Sequence, residues 1–150
     1  MSKGLIAVIL GVLAVGLIAG CGSSDSSSSL TKAEFIKQGD AICEKVHKKI
    51  EDEFSVLLKK GSLKGGGGNK AVEEFTATKL TPILRSEAEE LRDLGAPSGE
   101  EDAVNAILDP FEEGLEELES PSATASTNPV GINEANTQAK KYGLKFCVTS

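Results

Sequence analysis

The 150-residue chain has no tryptophan, a single histidine and only six aromatic residues, five Phe and one Tyr. So few rings leave no platform on which bases or sugars could stack. One His and three Cys cannot furnish a zinc ribbon or a paired metal cluster. Basic residues are scarce as well, 16 against 23 acidic for a net charge of −7. That balance excludes a nucleic-acid partner, whose phosphates require a basic stripe. No Gly-x-Ser-x-Gly elbow occurs, and no nucleophile stands beside a partner base. The glycine run Gly65 to Gly68 is followed by Asn69-Lys70-Ala71, without the Lys-Ser/Thr ending that holds Mg²⁺ and terminal phosphates. It reads as a hinge. Neither a catalytic residue nor a cofactor is expected, so the chain reads as a non-enzyme.

What the chain does have begins at its start. Lys3 precedes an uncharged run of 17 residues, Gly4 to Gly20, rich in Leu, Ile, Val and Ala. A charged start, an apolar middle and small residues before a break describe a secretory signal peptide. The run ends in Leu17-Ile18-Ala19-Gly20-Cys21, which resembles a bacterial lipobox. In lipobox proteins the cysteine thiol carries a lipid and the chain is cut just before it, so the resemblance makes Cys21 the lipidation site and first mature residue. A retained membrane helix is the competing reading, since 17 residues is the lower limit for spanning a bilayer. A diacylglyceryl group supplies the two acyl chains that stable anchoring needs. Gly22 to Ser29 is serine apart from Gly22 and Asp25, a flexible tether spanning about 15 Å on average. The expected organisation is a signal peptide over 1–20, a lipidated cysteine and tether over 21–30, and a helical domain over 31–150. The expected address is the extracytoplasmic face of the cell membrane.

With Cys21 lipidated, Cys43 and Cys147 remain, an even number in an exported chain. Oxidising compartments favour pairing them, and the long loop so closed is worth about 4–5 kcal/mol in the chain-entropy model. Two separately buried thiols are the alternative.

Outside the leader no window alternates apolar and polar residues as a half-buried strand does, whereas helical spacing recurs. The expected fold is all-α, an antiparallel four-helix bundle with a long first helix, two proline-bent helices and a short last one. Thr31-Lys32-Ala33-Glu34 is a capping box flanked by Leu30 and Phe35 at the staple positions. From it Ile36, Cys43, Ile50 and Leu57 recur every seven residues, Phe35, Ile42, Val46 and Phe54 widen the stripe to a core-facing width, and the helix should run to about Lys60. A second helical segment spans Asn69 to Leu94, interrupted at Thr81-Pro82 by either a kink or a fresh start. Its stripe is Val72, Phe75, Leu80, Ile83, Leu84, Ala88, Leu91 and Leu94. Ser98-Gly99-Glu100-Glu101 reads as a second capping box, opening a helix that carries Pro110. Ser120 to Gly131 reads as an exposed loop. The last helix is expected from Asn133 to Tyr142, closed by Gly143 in a Schellman stop.

Two charged features invite chemistry. Glu44-x-x-His47 has the ligand spacing of di-metal helical bundles, but a second such motif is impossible with one histidine, so His47 reads as solvent-exposed. The segment Glu87 to Glu119 holds 13 acidic residues against Arg92 alone, while Lys32 to Lys70 holds nine basic and six acidic. A solvated face, or complementarity between these two segments, explains them more simply than cation binding.

Phe35-Ile36-Lys37-Gln38-Gly39-Asp40-Ala41-Ile42-Cys43 and Lys140-Lys141-Tyr142-Gly143-Leu144-Lys145-Phe146-Cys147, with Leu94-Gly95-Ala96-Pro97 between them, are similar to small lipoproteins and secreted proteins of actinobacterial lineages. The resemblance implies fold and address and carries no catalytic residues. The leading expectation is thus a lipid-anchored, non-enzymatic module that binds an envelope protein or component. A small-ligand or divalent-cation carrier, using an inter-helix cavity or the acidic face, is the alternative.

Overall fold

A computed structural model describes residues 30–61, 68–119 and 129–147. The leader, Cys21 and the tether lie outside the described residues, as do most of the glycine run and residues 120–128 of the expected loop. Among the described residues the chain is helical without strands, and the helices pack as a bundle: α1 (Lys32–Lys59), α2 (Gly68–Phe75), α3 (Thr81–Asp93), α4 (Glu101–Glu119) and α5 (Val130–Tyr142). No helix among them is long and apolar enough to cross a membrane.

The start of α1 is the expected capping box. The Thr31 hydroxyl accepts from the Glu34 N–H at 3.3 Å, and the Glu34 carboxylate accepts from the Thr31 N–H at 2.9 Å. Two backbone donors that the first turn cannot satisfy are thereby paired. The face turned fully inward is Phe35, Gly39, Cys43 and Val46, spaced four, four and three residues apart. Ile36, Ile50 and Leu57 from the seven-residue reading are only half-buried. Phe35, Cys43 and Val46 belong to the expected stripe and Gly39 is the addition: a Cβ there would meet the Leu144 side chain at 3.0 Å, so the missing side chain is itself what lets the C-terminal segment pack down.

Between α2 and α3 the chain does not restart. Thr76–Leu80 is a π-helical turn, and Phe75 and Thr81 on either side of it keep right-handed helical backbone. The Thr81 hydroxyl bonds back to the Thr76 carbonyl at 2.9 Å, so Thr81 does not cap. Pro82 has no N–H to give the preceding turn, and a widened turn absorbs that gap without a break.

Two boundaries differ from the sequence reading. Ser98 and Gly99 form a turn and α4 begins only at Glu101, so Ser98 does not open a capping box. The Glu101 carboxylate takes the backbone N–H groups of Gly99 and Glu101 instead, which hold its pKa below the ordinary value. At the other end, α5 starts at Val130, three residues before Asn133. Glu117 on α4 explains this, accepting from the N–H groups of Val130 and Gly131 at 3.1 and 3.2 Å. A carboxylate astride the first turn satisfies its free donors and its positive dipole end.

α4 and α5 are the most intimately packed pair. A Cβ at Gly131 would lie 2.6 Å from the Gly114 nitrogen, and one at Gly114 would lie 2.6 Å from the Ile132 nitrogen. Gly143 closes α5 with φ 115°, and the Leu144 N–H reaches back to the Ala139 carbonyl at 3.0 Å as the Schellman stop requires.

Burial divides into two clusters. One gathers Phe35, Cys43, Leu91, Val104, Ile107, Leu108, Ala139, Tyr142 and Leu144; the other gathers Val46, Ile83, Leu84, Ala88 and Leu115. On α3 the boundary between them falls between Ala88 and Leu91, beside Glu87.

Candidate functional site

Cys43 and Cys147 form a disulfide, with Cα atoms 5.0 Å apart and a separation of 104 positions along the chain. Around it the two ends of the domain are sewn together. Asp40 accepts the backbone N–H groups of Lys145 and Phe146 at 2.7 and 2.9 Å. One turn earlier Phe35 meets Tyr142 edge-on, with centroids 5.8 Å apart. The Lys32 ammonium lies 4.2 Å from the same Tyr142 ring while pairing with Glu100 at 3.0 Å.

Beneath the disulfide lies a cavity of about 50 Å³, with His47, Leu84, Glu87, Leu91, Phe111, Asn136 and Cys147 among its walls. It has room for a few water-sized occupants. Glu87 is the unusual wall. Its side chain is 5 % exposed, and no hydrogen bond or ion pair to it is present among the described residues. Its carboxyl, Cys43 Sγ and Cys147 Sγ all lie within 4.8 Å of one another. Burial, with a smaller push from the Glu90 charge, raises the Glu87 pKa to about 7. Near neutral pH it therefore divides between acid and carboxylate, so it can donate or accept a proton, or coordinate a cation.

The sequence reading counted Glu87 as one of 13 acidic residues and missed its place. The signal was present: Glu87 stands four after Ile83, three after Leu84 and four before Leu91, squarely on the apolar stripe of its helix. His47 also departs from expectation, being half-buried against the cavity and not solvent-exposed. It follows Cys43 by four residues and thus shares its helix face.

The acidic face of α4 is largely committed to internal work. Arg92 bonds Glu112 and reaches Asp109 at 2.8 Å, Arg85 pairs with Glu119 at 2.7 Å, and Glu117 caps α5. Lys45–Glu90 at 3.1 Å and Lys32–Glu100 join the basic and acidic segments across the bundle, as complementarity predicts. These pairs are exposed and each contributes little.

Of the three expected site residues, the fold brings Cys43 and Cys147 together, and Cys21 lies outside the described residues. Compared with protein-family models, with curated proteins and with solved structures, the chain finds no match.

Proposed function

We propose that this chain is a lipid-anchored, extracytoplasmic helical module that binds a protein or other component of the cell envelope without catalysing a reaction. The observation that carries the reading is the order Leu17-Ile18-Ala19-Gly20-Cys21, serine tether, then a domain that begins with a complete helix cap at Thr31. Each part fits the next. The lipobox-like cysteine gives an anchor, Gly22 to Ser29 gives reach, and the cap fixes where the rigid body starts. A disulfide joining the first and last helical regions suits a domain that works where thiols are oxidised.

The test is C21S in the native cell. The account expects the variant to leave the membrane fraction and, once purified, to bind saturably to at least one isolated envelope fraction. Retention in the membrane would overturn the anchor, and binding to no fraction would overturn the interaction module.

A further inference from the structure

We propose that in its dithiol form the chain holds one zinc-class divalent cation through the thiolates of Cys43 and Cys147 and the carboxylate of Glu87, with a water in the fourth position. This goes beyond the anchored module.

The geometry leads there in three steps. First, the three donor atoms already converge within 4.8 Å from three separate parts of the chain: α1, α3 and the segment after α5. A tetrahedral zinc with bonds of about 2.3 Å to sulfur and 2.1 Å to oxygen needs S···S near ~3.8 Å and S···O near ~3.6 Å. Parting the disulfide by that amount keeps every donor inside the span it now occupies. Second, Glu87 is a buried carboxyl with no partner among the described residues, in a wall that is otherwise mostly apolar. Such a group is costly unless something pairs with it, and a bis-thiolate cation is an occupant that would do so. Third, Glu87 and Cys147 both line the cavity, which has room for an ion and a water.

The chemistry balances. A reduced chain meeting the ion gives up the two thiol protons, and the Glu87 proton where it is held, in exchange for two metal–sulfur bonds and one metal–oxygen bond. Oxidation by a disulfide-class oxidant passes two electrons to it, joins the sulfurs and frees the ion. Attack by a dithiol-class reductant returns two electrons and two protons to the sulfurs, so one site alternates between a covalent clip and a metal clip.

The experiment titrates the full-length chain in detergent, reduced with a phosphine and kept free of oxygen, with Co²⁺ alone. The expected result is one equivalent bound, with a thiolate-to-cobalt charge-transfer band and tetrahedral d–d absorption. E87Q should weaken binding by at least about tenfold, the loss that even an outer-shell partner can cause, and the oxidised chain should show neither band. Absence of the charge-transfer band in the reduced chain, or equal affinity in E87Q, would overturn the proposal. If the reduced chain loses helical circular dichroism without metal, Co²⁺ has to restore it, and failure to do so is equally fatal.

Discussion

At the beginning of α1 Phe35 is 1 % exposed, wedged against Tyr142; near the end of the same helix Phe54 is 37 % exposed, although it too meets a ring, that of Phe75 at 5.5 Å. Around Phe35 lie a disulfide, a carboxylate holding two backbone N–H groups, a cation over a ring and a complete helix cap. Farther along the same helix Val56 and Leu58 remain exposed, as does Val72 on α2. Hydrophobicity is similar at the two ends, so what differs is how many independent constraints converge on one place. A single long helix thus runs from a closed end into an open one.

Removing the disulfide should blur that contrast most. The C43S/C147S variant should lose about 4–5 kcal/mol of unfolding free energy, the value of closing a loop of this length. Urea unfolding measures it, and a loss under 1 kcal/mol would mean that Asp40 and the Phe35–Tyr142 contact hold the closed end alone.

Truncating the two phenylalanines sharpens the comparison directly. F35A should cost about 3–5 kcal/mol, as for a fully packed ring, and F54A about 1 kcal/mol or less. Equal costs in urea unfolding would show that the ends are equally packed.

Glu87 provides a dependence on pH. Below its ordinary value of 4.5 the carboxyl is neutral in both the folded and the unfolded chain. As pH rises towards about 7 the unfolded chain ionises first, so stability falls, and above that the loss levels off. The total is on the order of 3 kcal/mol. The difference in urea midpoint between E87Q and the wild type should therefore grow in favour of E87Q from pH 4.5 to 8. A constant difference would place Glu87 in contact with solvent or a cation partner.

Smallest is Y142F. The Tyr142 hydroxyl is buried with no hydrogen-bond partner among the described residues, so deleting it should change stability by less than about 1 kcal/mol, in the stabilising direction. A clear loss in thermal unfolding would reveal a partner for that oxygen.

Much of this architecture was legible from residue spacing. The Thr31 cap, the apolar stripe of α3 and the Gly143 stop rest on local chemistry, which is written in neighbouring residues, and the cysteine pair followed from their number in an exported chain. Three things were not legible, because each depends on a distant partner. The early start of α5 requires Glu117 from α4. The inward turn of α1 at Gly39 requires Leu144 from the far end of the chain. His47 is drawn from solvent by a cavity whose walls come from four helices. Glu87 is intermediate: its position on the stripe was readable, while its company, two sulfurs and no counter-charge, was a matter of tertiary packing.

The central claim is an anchored domain whose first and last helical regions are joined by a covalent clip. Its most direct test is the intact mass of the protein extracted from native membranes, before and after reduction. The account predicts a chain beginning at Cys21, heavier by a diacylglyceryl lipid and gaining two hydrogens on reduction. A full-length, unlipidated chain whose mass reduction leaves unchanged would contradict both the anchor and the clip.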